Sequence, residues 1–199
     1  MILLIRHGQS TANERRELVG RGDPDLTSSG ERQARALAPY RANVVALWTS
    51  PLRRARATAA LAFADLEPVV KESFIEVDYG SLEGTPLDGP RSPLLSRAVR
   101  DHEATLGGGE SLASVDRRVW RELDTLSDDP SSLLYSNDSH LAIVTHVSPI
   151  KSAVAWALGV DGSVAWRMRL DNGSVTCVGA RGAVVQLVSY NVLPPSDND

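Results

Sequence analysis

ILLIRHG, residues 2–8, decides how this chain is read. An unbroken apolar run from Ile2 to Ile5 is the pattern of a strand covered on both faces. Such strands belong to parallel sheets held between helix layers. The run ends in a guanidinium (Arg6), an imidazole (His7) and a glycine that can turn the corner. In sheets of this kind ligands bind beyond the carboxyl ends of the strands, so the polar pair stands where chemistry is expected.

Working outward, VVALW (44–48) and LAIVT (141–145) repeat the pattern. Helical spacing predicts a first helix from Thr27 to Ala38, capped by Thr27 and ended by Pro39. Ser50-Pro51 is read as the opening of a second helix, running to about Phe63. Ser111 caps a third, whose Leu112, Val115, Val119, Leu123 and Leu126 share one face. A fourth runs from about Pro149 to Leu158 and stops at Gly159. VAWRMRL (164–170) alternates and is predicted to be a strand; Asp171-Asn172-Gly173 is a turn, and SVTCV and AVVQLVSY complete an antiparallel meander. The expected fold is α/β: three layers, α/β/α, with a mixed, mostly parallel central sheet. Residues 1–193 are expected to form a single domain and 194–199 a loose tail.

Bulk composition narrows the function. A chain of 199 residues with 42% hydrophobic content fills one core. A net charge of -4 offers no basic field for nucleic acid or an anionic membrane. Cys177 is the only cysteine, which excludes an internal disulfide or a thiolate-rich zinc cluster and fits a reducing compartment. The apolar start lacks a basic leader, and AVAWALGV is too short to span a bilayer. A cytoplasmic protein, monomer or homodimer, is expected, with no nucleic-acid or membrane partner.

Three strand ends converge on one chemistry. Arg6-His7-Gly8 follows the first run, Thr145-His146 ends another, and the helix after VVALW carries Arg53, Arg54 and Arg56 in its first turns. Helix N-termini and arginine forks suit a phosphate dianion, and a free imidazole nitrogen can attack phosphorus. Periodicity does not choose among the three arginines, nor among Glu76, Asp78 and Glu83 as the acid for the leaving oxygen. GGG at 107–109 lacks a following Gly-Lys-Ser/Thr and is read as a flexible loop. His7 and His146 have no histidine or cysteine companion at ligand spacing, so neither a metal nor a cofactor is expected.

These blocks resemble the histidine phosphatase superfamily, the branch of phosphoglycerate mutases and their phosphatase relatives, over residues 2 to 178. RHGQSTAN is similar to its opening motif, which implies His7 as the phosphorylated nucleophile, Arg6 as a phosphate clamp and Asn13 as a further phosphate contact. GRGDPDLTSSGERQA resembles the next block and puts Gly20 and Arg21 near the entrance. SPLRRARATA selects Arg54, the arginine directly before alanine. EVDYGSLEG implies Glu76 as proton donor, and VTH gives His146 as the second core histidine. Val147 stands where the family usually has glycine. Only 85–107 separates Gly84 from Gly108, a short lid that implies hydrolysis of a small phosphorylated metabolite over mutase chemistry. A mutase-type isomerase and a silent phosphate-binding module are the alternatives. Arg91, Arg97, Arg100 and His102 in that segment read as surface charges before ligands. Sugar phosphates, phosphoglycerates and nucleotide-loop phosphates of cobalamin synthesis are the substrate candidates.

Overall fold

The computed structural model describes residues 1–88 and 92–195. Its strands are β1 (Ile2–Arg6), β2 (Val44–Thr49), β3 (Val69–Val70), β4 (His140–Thr145), β5 (Val175–Arg181) and β6 (Val184–Val192). The helices are α1 (Thr11–Glu14), α2 (Ser28–Arg35), α3 (Arg53–Ala62), α4 (Ser92–Arg100), α5 (Leu112–Asp128), α6 (Val147–Leu158) and α7 (Gly162–Ala165). Among the described residues no helix is long and apolar enough to cross a membrane.

One six-stranded sheet runs β3-β2-β4-β1-β5-β6. β1 to β4 pair in parallel, while β5 and β6 add an antiparallel edge. The apolar run of β1 is explained by its pleat. Ile2 and Leu4 enter the core shared with Val115, Val119 and Leu123 of α5 and Ile150 of α6. Leu3 and Ile5 face the opposite core, with Ala55 and Ala59 of α3. The sheet is therefore covered on both sides, as expected from sequence. At the start of β2 Val45 is exposed, because short β3 pairs only with Trp48 and Thr49 at the other end.

Helix boundaries follow the caps unevenly. Thr27 accepts a 3.0 Å bond from the Gly30 amide and Ser111 one of 3.2 Å from Ser114, each at the predicted start. Gly159 ends α6 with φ 63°. The first helix, however, stops at Arg35, and Pro39 lies inside a separate 3₁₀ turn over Ala38–Asn43. Nor does Ser50 cap the second helix: α3 starts at Arg53, capped by Leu52 without a side-chain bond. The predicted strand over 164–170 is absent. Asp161 caps α7, accepting from the Ser163 amide at 2.9 Å, and the amides of Trp166, Arg167 and Met168 bond carbonyls three residues back. A local cap competes well for such a segment, and β1 has no edge to offer because β4 and β5 flank it. Residues 107–109, expected to be a flexible loop, are tied down: Gly107 accepts from the Ser81 amide at 2.9 Å and Gly109 donates to Leu106 at 2.8 Å.

Candidate active site

β1 and β4 are neighbours, and their register pairs Arg6 with Thr145. The residues one step further, His7 and His146, therefore emerge side by side. Their rings are 5.0 Å apart at the centroids and tilted by 59°. Both side chains are buried. Gly8 turns the chain away under the start of α2; a Cβ there would sit 2.2 Å from the Gly30 carbonyl oxygen, so only glycine fits. The Gly8 amide donates to Thr58 Oγ1 of α3 at 3.0 Å.

Hydrogen bonding fixes the His7 tautomer. Nδ1 lies 2.7 Å from the Gly8 carbonyl oxygen, which can only accept, so Nδ1 carries the proton. Nε2 is left with its lone pair and takes a 3.3 Å bond from Arg54 Nε. Burial, reinforced by Arg54 and then Arg6, pushes the His7 imidazole well below its ordinary pKa. An uncharged imidazole is what a nucleophile needs. Burial, Arg54, His7 and Arg6 lower His146 in the same way. His146 Nε2 bonds Ser50 Oγ at 2.7 Å, while its Nδ1 is buried with no partner among the described residues. Ser50 is thus diverted from capping to holding this ring.

Of the three arginines, Arg54 is the buried one. Its Nη1 donates to Gly22 at 2.7 Å and its Nη2 to Gly20 at 2.9 Å. Gly20 in turn is gripped by Glu83, whose oxygens accept from the Gly20 amide at 2.9 and 3.0 Å and from the Arg21 amide at 2.9 Å. Gly20 and Glu83 therefore position Arg54. Arg53 and Arg56 are exposed, and Arg53 pairs with Asp25. Arg6 donates from Nη1 to the Leu170 carbonyl at 2.6 Å, and its Nε is buried without a partner among the described residues. Burial lowers the pKa of both arginines, with Glu76 opposing it.

Glu76 is also buried. Its carboxylate accepts from Val77 (2.8 Å) and from the first amides of α6, Val147 (3.1 Å) and Ser148 (3.2 Å). A carboxylate suits a helix N-terminus, and here it comes from another part of the chain. Asn13 Oδ1 accepts from the Ser10 amide, Ser10 Oγ and Asn172 Nδ2, each at 3.1 Å. That orientation leaves the Asn13 amide group free of described partners.

Arg6, His7, Asn13, Glu76 and Val147 line one cavity of about 200 Å³. Arg54 and His146 are not among its lining residues but flank His7, Arg54 Nε at 3.3 Å from Nε2 and the His146 ring 5.0 Å away. Arg21 is off the cavity, its guanidinium 3.4 Å from Glu110. Arg97 and Arg100 are exposed, and His102 pairs with Asp116 at 3.3 Å; Arg91 falls outside the described residues. Among the described residues no three His, Cys, Asp or Glu side chains gather as a metal site would need. Sequence reasoning missed Thr58, Ser50 in its true role, and Trp166, which lines the cavity although it reads as one face of a strand.

The chain belongs to the histidine phosphatase superfamily (branch 1), whose family model matches residues 2–193. It is 31% identical over 186 residues to phosphoserine phosphatase 1 of Hydrogenobacter thermophilus, covering 89% of this chain and 85% of that protein. A bifunctional protein of Mycobacterium tuberculosis is 37% identical over 184 residues, covering 88% of this chain and 49% of its own. The chain thus spans about half the length of that relative. Among solved structures, Entamoeba histolytica phosphoserine phosphatase with 3-phosphoglyceric acid superposes with a TM-score of 0.80 at 26% identity, covering 96% of each chain. Mycobacterial glucosyl-3-phosphoglycerate phosphatase with VO3 gives 0.83 at 23% identity, over 96% of this chain and 98% of that one, a likeness of fold.

Proposed function

We propose that the chain is a metal-independent phosphomonoesterase that hydrolyses a small phosphorylated metabolite through a phosphohistidine on His7. The observation that carries this reading is the His7 tautomer, held by the Gly8 carbonyl so that the lone pair sits on Nε2 beside Arg54. Nε2 attacks phosphorus, the bond to the leaving oxygen breaks, and Glu76 serves as the general acid that hands that oxygen a proton. Arg6, Arg54, Asn13 and His146 hold the equatorial oxygens as charge spreads over them. Glu76 then takes a proton from water, whose oxygen attacks phosphorus, releasing phosphate and restoring Nε2. Only residues 85–107 separate Gly84 from Gly108, little chain to enclose a bisphosphorylated ligand, which favours hydrolysis over phosphoryl return.

The test is turnover of p-nitrophenyl phosphate in EDTA with acid quench to trap acid-labile phosphoprotein. Wild type should accumulate label, and His7→Ala should lose label and at least ~1000-fold in kcat. Undiminished turnover by His7→Ala ends the proposal.

A further inference from the structure

Beyond the phosphate-facing groups, the cavity has a wall of a different kind. Leu18, Val19, Leu87 and Trp166 line it. Leu18 and Leu87 are mounted on a fixed frame in which residues 16–18 run antiparallel to 84–87, and Val19 follows directly on Leu18. Leu18 donates to Thr85 at 2.8 Å, Gly84 to Leu18 at 2.9 Å and Leu87 to Arg16 at 2.8 Å, with a bridge between Glu17 and Pro86. Leu87 keeps 39% exposure in this frame, an apolar side chain left partly open beside a cavity. The Trp166 ring is held by the turn after α7 and by the Lys151 ammonium, 4.5 Å from its centroid. The one carboxylate on this wall is Glu17, paired with Arg15 outside the cavity; the Lys151 ammonium is buried off the lining, 3.5 Å from the Trp166 carbonyl. Among the described lining residues Arg6 is the only cation, and the phosphoryl group claims it.

We propose, resting on the phosphatase reading above, that the alcohol part of the substrate is uncharged and largely apolar. A planar ring lying on Trp166 suits it best, and esters with a carboxylate near the phosphate are disfavoured. Apolar area on Leu18, Val19, Leu87 and Trp166 is covered by such a group. A second anion would instead meet Glu17, and Arg6, the only cation among the described lining residues, is already engaged by the phosphoryl group.

The test compares kcat/KM for 2-phenylethyl phosphate, O-phosphoserine and 3-phosphoglycerate, all alkyl esters, so that leaving-group acidity does not decide the order. The aromatic ester should exceed both carboxylates at least ~30-fold. Trp166→Ala should cut that ratio about tenfold, mainly through KM, and Trp166→Phe should restore most of it. Glu17→Lys, at a solvent-facing pair, should raise phosphoserine hydrolysis about tenfold relative to the aromatic ester. Equal efficiency on all three esters, or a ratio unmoved by Trp166→Ala and Glu17→Lys, overturns the inference and leaves the phosphatase reading standing. Hydrolysis of p-nitrophenyl phosphate but of none of these three overturns the inference alone, and hydrolysis of none of the four overturns both.

Discussion

Replacing Thr58 with valine removes one hydroxyl and keeps the shape of the side chain. Thr58 is fully buried on α3; its Oγ1 accepts from the Gly8 amide at 3.0 Å and donates to the Arg54 carbonyl at 2.8 Å. Valine leaves the Gly8 N–H without an acceptor, at a cost of about 1–3 kcal/mol, and the new buried methyl offsets about 0.8. The net loss is then about 0.2–2.2 kcal/mol. For a chain of 199 residues that lowers Tm by up to roughly 9 °C. Gly8 is also the residue whose carbonyl sets the His7 tautomer, so a shifted Gly8 disturbs the aim of His7 in the proposed attack. We expect kcat to fall about tenfold, equivalent to ~1.4 kcal/mol. Calorimetry and p-nitrophenyl phosphate turnover read the two effects, with Thr58→Ser as the variant that keeps the hydroxyl. A Thr58→Val protein with wild-type Tm and kcat, or a Thr58→Ser protein equally impaired, refutes the reasoning.

Three more outcomes are expected. His7 and His146 are held neutral when folded, so the unfolded chain binds more protons below its imidazole pKa of about 6.5, and stability is present above that pH and lost as pH falls from 7 towards 5; saturating vanadate should shrink the loss, and a flat Tm across that window contradicts the assignment. Glu83→Gln loses one carboxylate oxygen that accepts from the Gly20 amide, slackens the seat of Arg54 and should lower kcat/KM about tenfold with little change in Tm; unchanged kinetics argue against that chain of support. Burial, with Arg6 adding to it, lowers Lys151 to about 8, which costs the fold on the order of 3 kcal/mol below that pH. Lys151→Met should therefore raise Tm by several degrees at pH 7, with the gain shrinking as pH rises towards 10.5; a lowered Tm overturns it.

Legibility in the sequence tracks how local the physical cause is. β1 and β4 were readable because strands buried on both faces have no polar alternation to confuse them, and each is followed directly by a histidine. Thr27 and Ser111 were readable because a cap acts within three residues. Arg54 was not distinguishable from Arg53 and Arg56 by helical period. Its burial comes from the carbonyls of Gly20 and Gly22, more than thirty residues away in sequence, and only the family resemblance selected it. Glu76 likewise depends on the amides of Val147 and Ser148. Ser50 and residues 164–170 misled for one reason. Each carries a strong local pattern, but a distant partner, His146 in one case and an already flanked β1 in the other, decided the outcome.

The pairing of β1 with β4 makes the sheet a ruler for the proposed reaction. Neighbouring strands repeat at about 4.8 Å, and the two imidazoles stand 5.0 Å apart. Their separation is set by backbone hydrogen bonds in the middle of the sheet, which no loop substitution can stretch. Change in what the cavity accepts is thereby channelled into the frame at 16–18 and 84–87 and the turn bearing Trp166, leaving the span between the two rings invariant.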